Sequence, residues 1–404
     1  MKIGIFGGTF NPPHIGHIES SKKAMAQLCL DRLIIVPAGI PPHKDIPEGT
    51  PSAPERLNMT RMSFEKIPNT IISELEIHSI EPCYTIETVK NISGDYPGAQ
   101  LFLLMGADMY LSLEMWKDYE TLLKTVTPVV FSRQVTDKDA ITGFSNRLQE
   151  AYGIRTEVIA GDIIDISSSR LRKMLPERNG LGYITDTTYS YIIRNRLYGA
   201  KPNWEWLRER AHSMLDSSRI PHVSGCEEEA LRLAKRWHAD PANAREAAIL
   251  HDITKKLSTQ ENINIIEEYG FIQEAPGIAE EKLLHAKTGA ILAKTLFGAS
   301  DEVSDAILWH TTGRPGMSVL EKVIYLADYI EPTRDLQGIE ALRAIAYEDI
   351  DNAVIMGLEM TMKDITERGI PTNRMTIDAL SDLKQNKRLS QTACKTIAAE
   401  GTNK

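Results

Sequence analysis

The 404-residue sequence has few cysteines and no long apolar stretch. Its four cysteines are Cys29, Cys83, Cys226 and Cys394, and the absence of any C-x-x-C pair argues against a disulfide framework or a zinc knuckle. No stretch approaches the ~20 apolar residues that a membrane span needs. The glycines at positions 7 and 8 end the first apolar run too early for a signal peptide. These absences predict a cytoplasmic protein that does not associate with a membrane.

An excess of positive charge is also absent. The formal net charge is −9, which argues against a nucleic-acid polymer as partner and favours small anionic ligands. With 42% hydrophobic and 25% charged residues, the composition is that of a globular protein. The length exceeds what one hydrophobic core usually organises, so we expect two domains. Whether the chain forms a homo-oligomer is left open by the sequence.

The two halves of the chain have different patterns. Short β-branched runs at residues 2–6, 32–37, 100–105 and 127–132 alternate with helical patterns, which predicts a parallel α/β sheet in a domain spanning residues 1–198. Residues 199–203 combine a helix stopper with a turn former and are the predicted linker. Only helical spacing follows, for example at residues 227–237, 245–253, 286–296 and 320–330. We therefore predict an all-α domain over residues 204–383 and a frayed polar tail over 384–404.

A glycine turn follows the first predicted strand. Gly7 and Gly8 lack a Cβ, so a phosphate can approach the backbone N–H groups beside the start of a helix expected near Ile18. His14 and His17 can face one ligand, while Gly16 between them leaves room for its base or ribose. We expect both histidines to donate to phosphate oxygens; metal ligation and an ordinary loop position are the alternatives.

A second polar cluster lies far along the chain, at Ser167, Ser168, Ser169 and Arg172. Ser167 or Ser168 can cap the helical segment that follows and present its free N–H groups to another part of the same phosphate chain. Arg172 adds a positive charge that does not titrate. The two clusters together predict a nucleotide site.

Five ordered segments resemble the nicotinate-nucleotide adenylyltransferases: residues 7–17, 36–44 (VPAGIPPHK), 83–91 (CYTIETVKN), 104–116 (LMGADMYLSLEMW) and 166–172 (ISSSRLR). The resemblance implies a Rossmann-like nucleotidyltransferase domain. It also implies transfer of AMP from ATP to nicotinate mononucleotide, with Mg²⁺, giving deamido-NAD and pyrophosphate. The His-Ile-Gly-His segment also opens the class I aminoacyl-tRNA synthetase signature, but the lysine-rich loop and the tRNA-binding surface of those enzymes are not evident.

The resemblance, together with the two clusters, assigns individual residues. The expected ATP-binding residues are Gly7, Gly8, Thr9, Phe10, His14, His17, Ser167, Ser168 and Arg172, of which His14, His17 and Arg172 are the expected catalytic groups. The residues expected around the nicotinate nucleotide are Lys44, Thr85, Asp108 and Trp116. Trp116 could stack on the pyridine ring or belong to the core. Asn11 stands where the family commonly has aspartate, and Ser169 where it has threonine, so Asn11 receives no metal-binding role.

The second half contains six candidate metal ligands: His222, His251, Asp252, His285, His310 and Asp328. If His251 and Asp252 lie on one helix, their side chains point roughly 100° apart, so Asp252 can bridge two ions. Imidazole and carboxylate ligands suit Fe, Mn, Zn, Co or Ni, and of these we expect Fe. Two such ions, about 3.5–4 Å apart, would promote hydrolysis of a phosphate ester or anhydride. Any single histidine of the set could instead be a surface or core residue.

Five segments resemble the HD-domain phosphohydrolases: residues 219–222 (RIPH), 248–255 (AILHDITK), 285–286 (HA), 306–313 (AILWHTTG) and 325–332 (YLADYIEP). They are most similar to the bacterial group that cleaves diadenosine tetraphosphate into two ADP. The resemblance implies that His222, His251, Asp252 and Asp328 hold one ion and that Asp252, His285 and His310 hold the other. It makes Asp252 the central catalytic ligand, and Lys255, Arg314 and Arg334 candidates for phosphate contact. The alternatives are hydrolysis of another nucleotide and a nucleotide-sensing regulatory module.

Overall fold

A computed structural model of the chain describes residues 1–40, 47–131, 137–159, 164, 166–269 and 283–401. The chain divides into two compact units, Met1–Asn203 and Trp204–Lys404. Within the residues described, none of the helices combines the length and the apolar character needed to cross a membrane.

The first unit is built on a parallel sheet that has six strands in its described part, in the order β3-β2-β1-β4-β5-β6. The strands are β1 Lys2–Gly8, β2 Arg32–Pro37, β3 Thr70–Ile72, β4 Gln100–Gly106, β5 Val126–Phe131 and β6 Glu157–Ile159. This is the order of a doubly wound dinucleotide-binding fold. The predicted Rossmann-like sheet is therefore confirmed, although the sequence analysis missed β3 and β6, which have only three residues each.

Helices cover both faces of this sheet. They are α1 Ile15–Leu28, α2 Ala53–Phe64, α3 Thr85–Asp95, α4 Ala107–Leu111, α5 Tyr119–Thr125, α6 Asp137–Tyr152, α7 Ser168–Met174 and α8 Asp186–Arg194. On β4, Leu101, Leu103 and Met105 belong to one apolar core, while Phe102 and Leu104 belong to another. Because each face packs against its own core, the strands are apolar along their length instead of alternating with polar residues.

The direction of the strand order reverses between β1 and β4. The chain passes from β1 to β2 on one side and from β4 to β5 on the other. Sheets of this kind bind ligands outside the carboxyl ends of the strands at the reversal. Gly7 and Gly8 end β1, and Gly106 ends the neighbouring β4. The glycine turn thus lies where this fold favours a nucleotide.

All the regular elements in the described residues of the second unit are helices, which confirms the predicted all-α domain. Its helices are α9 Trp204–Ser213, α10 Ile220–Trp237, α11 Pro241–Leu250, α12 Thr259–Glu268, α13 Leu284–Phe297, α14 Asp301–Leu308, α15 Val319–Ile330, α16 Ile339–Glu348, α17 Ile350–Glu367 and α18 Arg374–Gly401. Several helices place a fully buried alanine in the core, among them Ala230, Ala247, Ala306 and Ala327. Small residues at such positions allow helices to pack closely.

The segments predicted as linker and tail are ordered in part. The Lys201 N–H donates to the carbonyl oxygen of Leu175 at 3.2 Å, and the Asn203 N–H donates to Tyr189 Oη at 2.8 Å. The division between the units falls directly after Asn203. The backbone of α18 is helical as far as Gly401, so the segment after residue 384 continues a helix that begins earlier.

Candidate functional sites

A cavity of about 510 Å³ lies at the carboxyl ends of β1 and β4. All the predicted nucleotide-binding residues within the described part of the chain line it: Gly7, Gly8, Thr9, Phe10, His14, His17, Thr85, Asp108, Trp116, Ser167, Ser168 and Arg172. Lys44 lies outside the described residues. The structure thus gathers segments that are far apart in the sequence around one space large enough for a nucleotide.

Two hydrogen bonds join the glycine-turn loop to α7. Ser168 Oγ donates to the carbonyl oxygen of Pro12 at 2.8 Å, and Arg172 Nη1 donates to that of Asn11 at 2.6 Å. Ser167 caps α7 by accepting from the Arg170 N–H at 3.2 Å. These contacts hold the second polar cluster against the first and place the Arg172 charge beside the loop.

His14 and His17 form a stacked pair at the start of α1, which begins at Ile15 and not near Ile18. Their ring centres are 3.6 Å apart, and the backbone N–H of His14 donates to Nδ1 of His17 at 3.1 Å. Because Nδ1 of His17 accepts, the neutral ring carries its proton on Nε2 and can donate from there. A Cβ at Gly16 would lie 3.0 Å from Nδ1 of His14, so this glycine makes room for the His14 ring, not only for a ligand.

Arg56, which the sequence analysis did not single out, anchors two loops at the cavity. Its side chain is buried in α2, and Nη1 donates to the carbonyl oxygens of Thr9 at 2.9 Å and Ala38 at 2.6 Å. Nη2 donates to the carbonyl oxygen of Gly39 at 2.9 Å. The loops after β1 and β2 are thereby fixed to one guanidinium. No local motif marks this arginine, because its partners are backbone atoms in other segments.

Asn11 is engaged at both ends of its side-chain amide. Oδ1 accepts from Tyr198 Oη at 2.8 Å, and Nδ2 donates to Thr50 Oγ1 at 2.9 Å. Burial raises the pKa of Tyr198, so its phenol stays protonated and available as a donor. These contacts agree with giving Asn11 a structural and not a metal-binding role.

Three of the residues expected around the nicotinate nucleotide also line this cavity. Thr85 begins α3, Asp108 lies in the first turn of α4, and Trp116 follows shortly after. Trp116 is half-buried and packs against the apolar core while also lining the cavity, and its stacking on the pyridine ring stays a prediction. Lys117 and Tyr84 also line the cavity and were not predicted, and Lys117 Nζ lies 4.0 Å from the Tyr84 ring centre.

In the second unit the six predicted ligands converge from five elements. His222 lies on α10, His251 and Asp252 directly follow α11, His285 is in the first turn of α13, His310 follows α14 and Asp328 is on α15. The potential ligand atoms of His222, His251 and Asp328 lie within 4.8 Å of one another, as do those of His251, Asp252 and His310. His285 Nε2 lies 3.3 Å from His310 Nε2 and 3.4 Å from Asp252 Oδ1. Neither group includes His212 or His238.

Asp252 lies just beyond the end of a helix and not within it. His251 and Asp252 were expected within one helix, but α11 ends at Leu250, with His251 as its C-cap. His251 keeps helical dihedral angles, and a turn follows in which the Lys255 N–H donates to the Asp252 carbonyl oxygen at 2.8 Å. Ending the helix there still leaves both side chains among the other four candidate ligands.

The outward ring nitrogens of three histidines have fixed acceptors. Nδ1 of His251 lies 2.7 Å from the carbonyl oxygen of Ala248, and Nδ1 of His310 lies 2.6 Å from that of Ile307. Nδ1 of His222 lies 2.9 Å from Glu331 Oε1. Carbonyl and carboxylate oxygens only accept, so each Nδ1 carries the proton and each Nε2 keeps a lone pair.

Several inward atoms of the cluster lack hydrogen bonds. Within the described residues, His222 Nε2, His251 Nε2 and Asp252 Oδ1 are buried and make none. Such atoms are costly to bury without a partner. Because imidazole nitrogens and carboxylate oxygens are good ligands for divalent ions, the residues present fit a metal centre.

The charges of the cluster suit cations. Burial raises the pKa of the Asp252 and Asp328 carboxyls, but the basic groups around them outweigh burial and hold both pKa values well below the usual range. Burial lowers the pKa of His310 to about 4, so this ring is neutral at pH 7. Cys226 is buried one turn from His222, but burial raises the pKa of its thiol, which keeps it from being a thiolate ligand.

Cationic side chains border the cluster. Arg219 Nε donates to Asp252 Oδ2 at 2.7 Å, and Arg334 Nη2 donates to Asp328 Oδ1 at 2.7 Å. Lys255 Nζ lies 2.9 Å from His285 Nε2. Arg314 instead pairs with Glu321 and Asp305, which disfavours its predicted phosphate contact. Arg219 was not predicted, although it opens the segment 219–222 that carries His222.

The first unit is therefore a doubly wound domain with a nucleotide-sized cavity, and the second is a helical domain with a histidine–aspartate cluster. Comparison with family models agrees: a cytidylyltransferase-like model matches residues 5–174, and an HD domain model matches residues 219–333. An HD domain implies divalent metal binding, for which the cluster supplies ligand groups.

Three proteins of known name are similar to one half of the chain or to most of it. A "Probable nicotinate-nucleotide adenylyltransferase" of Carboxydothermus hydrogenoformans is 35% identical over 198 residues, covering 49% of this chain and 98% of that protein. A "Probable nicotinate-nucleotide adenylyltransferase/Ap4A hydrolase" of Mycoplasma genitalium is 27% identical, covering 89% of this chain and 97% of that protein. A crystal structure of a "predicted HD superfamily hydrolase involved in NAD metabolism" from Clostridium acetobutylicum is 36% identical, with a TM-score of 0.44, and covers 46% of this chain and 100% of that one. The chain belongs to the nicotinate-nucleotide adenylyltransferase family and carries an HD domain in its second half.

Proposed function

We propose that the first unit transfers AMP from ATP to nicotinate mononucleotide, releasing pyrophosphate and forming deamido-NAD. The observation that carries this proposal is that the glycine turn, both histidines and the 167–172 cluster line the same cavity. The family membership of the chain supports the same reaction.

The reaction needs alignment and charge neutralisation and no covalent intermediate. The phosphate of nicotinate mononucleotide attacks the α-phosphorus of ATP, and the bond from that phosphorus to the bridging oxygen of pyrophosphate breaks. His17, with its proton on Nε2, and Arg172 are proposed to stabilise the charge that develops on the departing pyrophosphate. Trp116 and Thr85 are proposed to hold the nicotinate nucleotide, and Gly7 and Gly8 to let the ATP phosphates approach the backbone.

Mg²⁺ is proposed to enter this site with ATP. The cavity offers the carboxylates of Asp108 and Glu76, and Mg²⁺ is commonly held by one or two carboxylates together with substrate phosphates. When bound, the ion would neutralise phosphate charge. Asn11 has no part in this, because its side chain is held by Tyr198 and Thr50.

This function is tested by incubating the full chain with ATP, Mg²⁺ and either nicotinate or nicotinamide mononucleotide. Chromatography separates the dinucleotide products, and a coupled assay measures pyrophosphate. We expect deamido-NAD and pyrophosphate in equal amounts. Activity only with the nicotinamide nucleotide would correct the substrate, and an absence of product with both would contradict the assignment.

For the second unit we propose a metal-dependent phosphohydrolase that cleaves diadenosine tetraphosphate symmetrically into two ADP. The observation that carries it is the set of inward Nε2 and carboxylate oxygen atoms buried without hydrogen bonds. His222, His251, Asp252 and Asp328 would hold one ion, and Asp252, His285 and His310 the other. Iron is the metal we propose; the imidazole and carboxylate ligands suit it, as they also suit Mn, Zn, Co and Ni.

When bound, two such ions lower the pKa of water and neutralise phosphate charge. Asp252 supplies one oxygen towards each group of histidines, since Oδ2 lies 3.4 Å from His251 Nε2 and Oδ1 lies 3.4 Å from His285 Nε2. Arg219 and Arg334 flank the carboxylates and are proposed to orient the phosphates of the substrate. The name of the Mycoplasma relative supports diadenosine tetraphosphate as that substrate.

The substrate is tested by supplying the full chain, loaded with Fe²⁺ or Mn²⁺, with diadenosine tetraphosphate, a cyclic dinucleotide or nucleoside monophosphates. We expect two ADP for each diadenosine tetraphosphate consumed. Cleavage of only another nucleotide would change the substrate assignment and would still support the proposed metal site. Binding of nucleotide without cleavage of any would instead favour a sensing module.

We also propose that the protein works in the cytoplasm. Cys29, Cys83 and Cys226, the cysteines whose side chains the structure describes, are all free thiols. Free thiols are typical of a reducing compartment.

A further inference from the structure

Glu331 is a buried carboxylate next to the candidate metal ligands that the proposed reaction does not use. It directly follows α15, three residues after Asp328, and its exposed fraction is 0%. A carboxylate at such a position is unfavourable unless it is hydrogen-bonded. The hydrogen bonds of Glu331 must therefore offset the cost of burying its charge.

Both oxygens of Glu331 are held from the segment that follows. The Thr333 N–H donates to Oε2 at 2.6 Å, and the Thr333 hydroxyl donates to Oε1 at 2.5 Å. The backbone carbonyl of Glu331 accepts from Arg343 Nη2 at 2.9 Å. The contacts with Thr333 thus fix the position of the carboxylate independently of its contact with a candidate metal ligand.

A glycine on α10 gives the carboxylate its space. A Cβ at Gly225 would lie 2.6 Å from Glu331 Oε2, a distance that two such atoms do not adopt. Gly225 lies three residues after His222 on the same helix, so the two residues share one face of α10. The missing side chain allows Glu331 to reach the ring of His222.

The contact with His222 fixes both its orientation and its proton. Nδ1 of His222 lies 2.9 Å from Glu331 Oε1, so Nδ1 carries the proton and Nε2 keeps its lone pair. That Nε2 lies 3.1 Å from Asp328 Oδ1 and 3.8 Å from Asp252 Oδ2. His251 and His310 are oriented by neutral backbone carbonyls, whereas His222 is oriented by an anion, which makes its Nε2 a stronger ligand.

We propose that Glu331 is a positioning residue for the metal centre: it holds His222 through Nδ1 and strengthens His222 Nε2 as a ligand. The inference rests on the metal site proposed above and concerns the ion on the His222 side. His285 and His310, on the other side of Asp252, have no contact with Glu331 among those the structure gives.

The test compares metal binding by the metal-stripped full chain and its Glu331→Gln variant. Glutamine keeps the shape but places an NH₂ group either against the Thr333 N–H or against Nδ1 of His222. In the second orientation the histidine must move its proton to Nε2 and can no longer bind metal. Mn²⁺ is titrated in, and the free ion is measured by electron paramagnetic resonance. We expect one of two Mn²⁺ ions to bind about 10- to 100-fold more weakly.

Glu321→Gln is the matched control. Glu321 is also buried and also lies at an end of α15, but its partners are Arg314 and Ser318, which are not metal ligands. This variant should bind both ions as the wild type does. Thr333→Val provides a milder change, since it removes one donor to Oε1 and should weaken the same ion less than Glu331→Gln.

A double-mutant cycle distinguishes positioning from a general structural role. In a His222→Ala background, Glu331→Gln should produce no further loss of Mn²⁺ affinity, because the residue through which it acts is gone. Circular dichroism checks that each variant is folded. Equal Mn²⁺ affinity in wild type and Glu331→Gln would overturn the inference alone. If the wild type binds no Mn²⁺, the metal site falls and the role of Glu331 with it.

Discussion

In the first unit the candidate site is backbone-shaped, meaning a cavity of about 510 Å³ whose glycine-turn loop is held by hydrogen bonds to its carbonyl oxygens, whereas in the second it is a cluster of side chains. The loop after β1 supplies glycines and backbone groups, and hydrogen bonds from α2 and α7 hold it in place. In the second unit the exposed fractions are 0% for His251, 1% for Asp252 and 2% for His310.

The difference predicts how each site fails. A backbone-shaped site depends on the anchors of its loops, and several donors share the charge of one ligand, so losing one weakens it by degrees. A cluster of buried ligands depends on each member, because a removed carboxylate leaves the remaining polar groups without a partner. Substitutions in the second unit should therefore have larger and more complete effects on activity.

Asp252→Asn should have the largest effect. It removes the charge that both histidine groups share, so hydrolysis should fall to background and metal content should drop with it. Metal analysis of the purified protein and release of ADP measure the two effects. Adenylyl transfer by the same preparation should be unchanged, since the described contacts of Asp252 lie in the second unit. Full metal content in this variant would contradict a central role for Asp252.

His17→Ala comes next and addresses the first unit. If His17 stabilises charge mainly in the transition state, kcat should fall by about 100-fold or more while KM for ATP changes little. His78→Ala is the matched control, because His78 is exposed and Glu74 is the partner in its described side-chain hydrogen bond. Wild-type turnover in His17→Ala would remove this role.

Arg56→Met tests the loop anchors. Losing the guanidinium leaves the carbonyls of Thr9, Ala38 and Gly39 without their donor, so the free energy of unfolding of the first unit should fall by about 3 kcal/mol. The loss of adenylyl transfer activity as the urea concentration increases measures this change in the free energy of unfolding. Arg61→Met on the same helix removes only an exposed ion pair with Glu74 and should change stability by less than about 1 kcal/mol. Equal effects of the two variants would show that Arg56 is not an anchor.

The two sites also differ in what their sequences reveal. In the first unit, the residues of the glycine-turn segment 7–17 are contiguous and follow a buried strand, so the sequence predicts the strand, the turn and the ligand class together. The residues that hold this segment in place cannot be predicted in the same way. Arg56 and Tyr198 act on backbone or amide atoms distant in the chain, and the short strands β3 and β6 have too few residues to show a period.

In the second unit the ligand types and their order are visible in the sequence, but their environment is not. The structure places the turn at His251, which the apolar spacing of residues 245–253 had indicated as helix. It also brings Arg219 to Asp252 and Glu331 to His222 across 33 and 109 positions, and separates Arg314 from the cluster by pairing it with Glu321. Charged residues of this kind look alike in sequence, because only the fold decides which carboxylate each one meets.

Tyr198→Phe should give the smallest effect and is the sharpest test of a backbone-shaped site. The change removes one hydrogen bond, from Tyr198 Oη to Asn11 Oδ1, worth about 1 kcal/mol. If that bond holds the glycine-turn loop in its working position, kcat/KM for ATP should fall by about fivefold. Tyr191→Phe removes a hydrogen bond that Tyr191 Oη accepts from Asn58 Nδ2 on α2, and should leave kcat/KM unchanged. An equal loss in both variants would mean that the loop does not depend on this anchor.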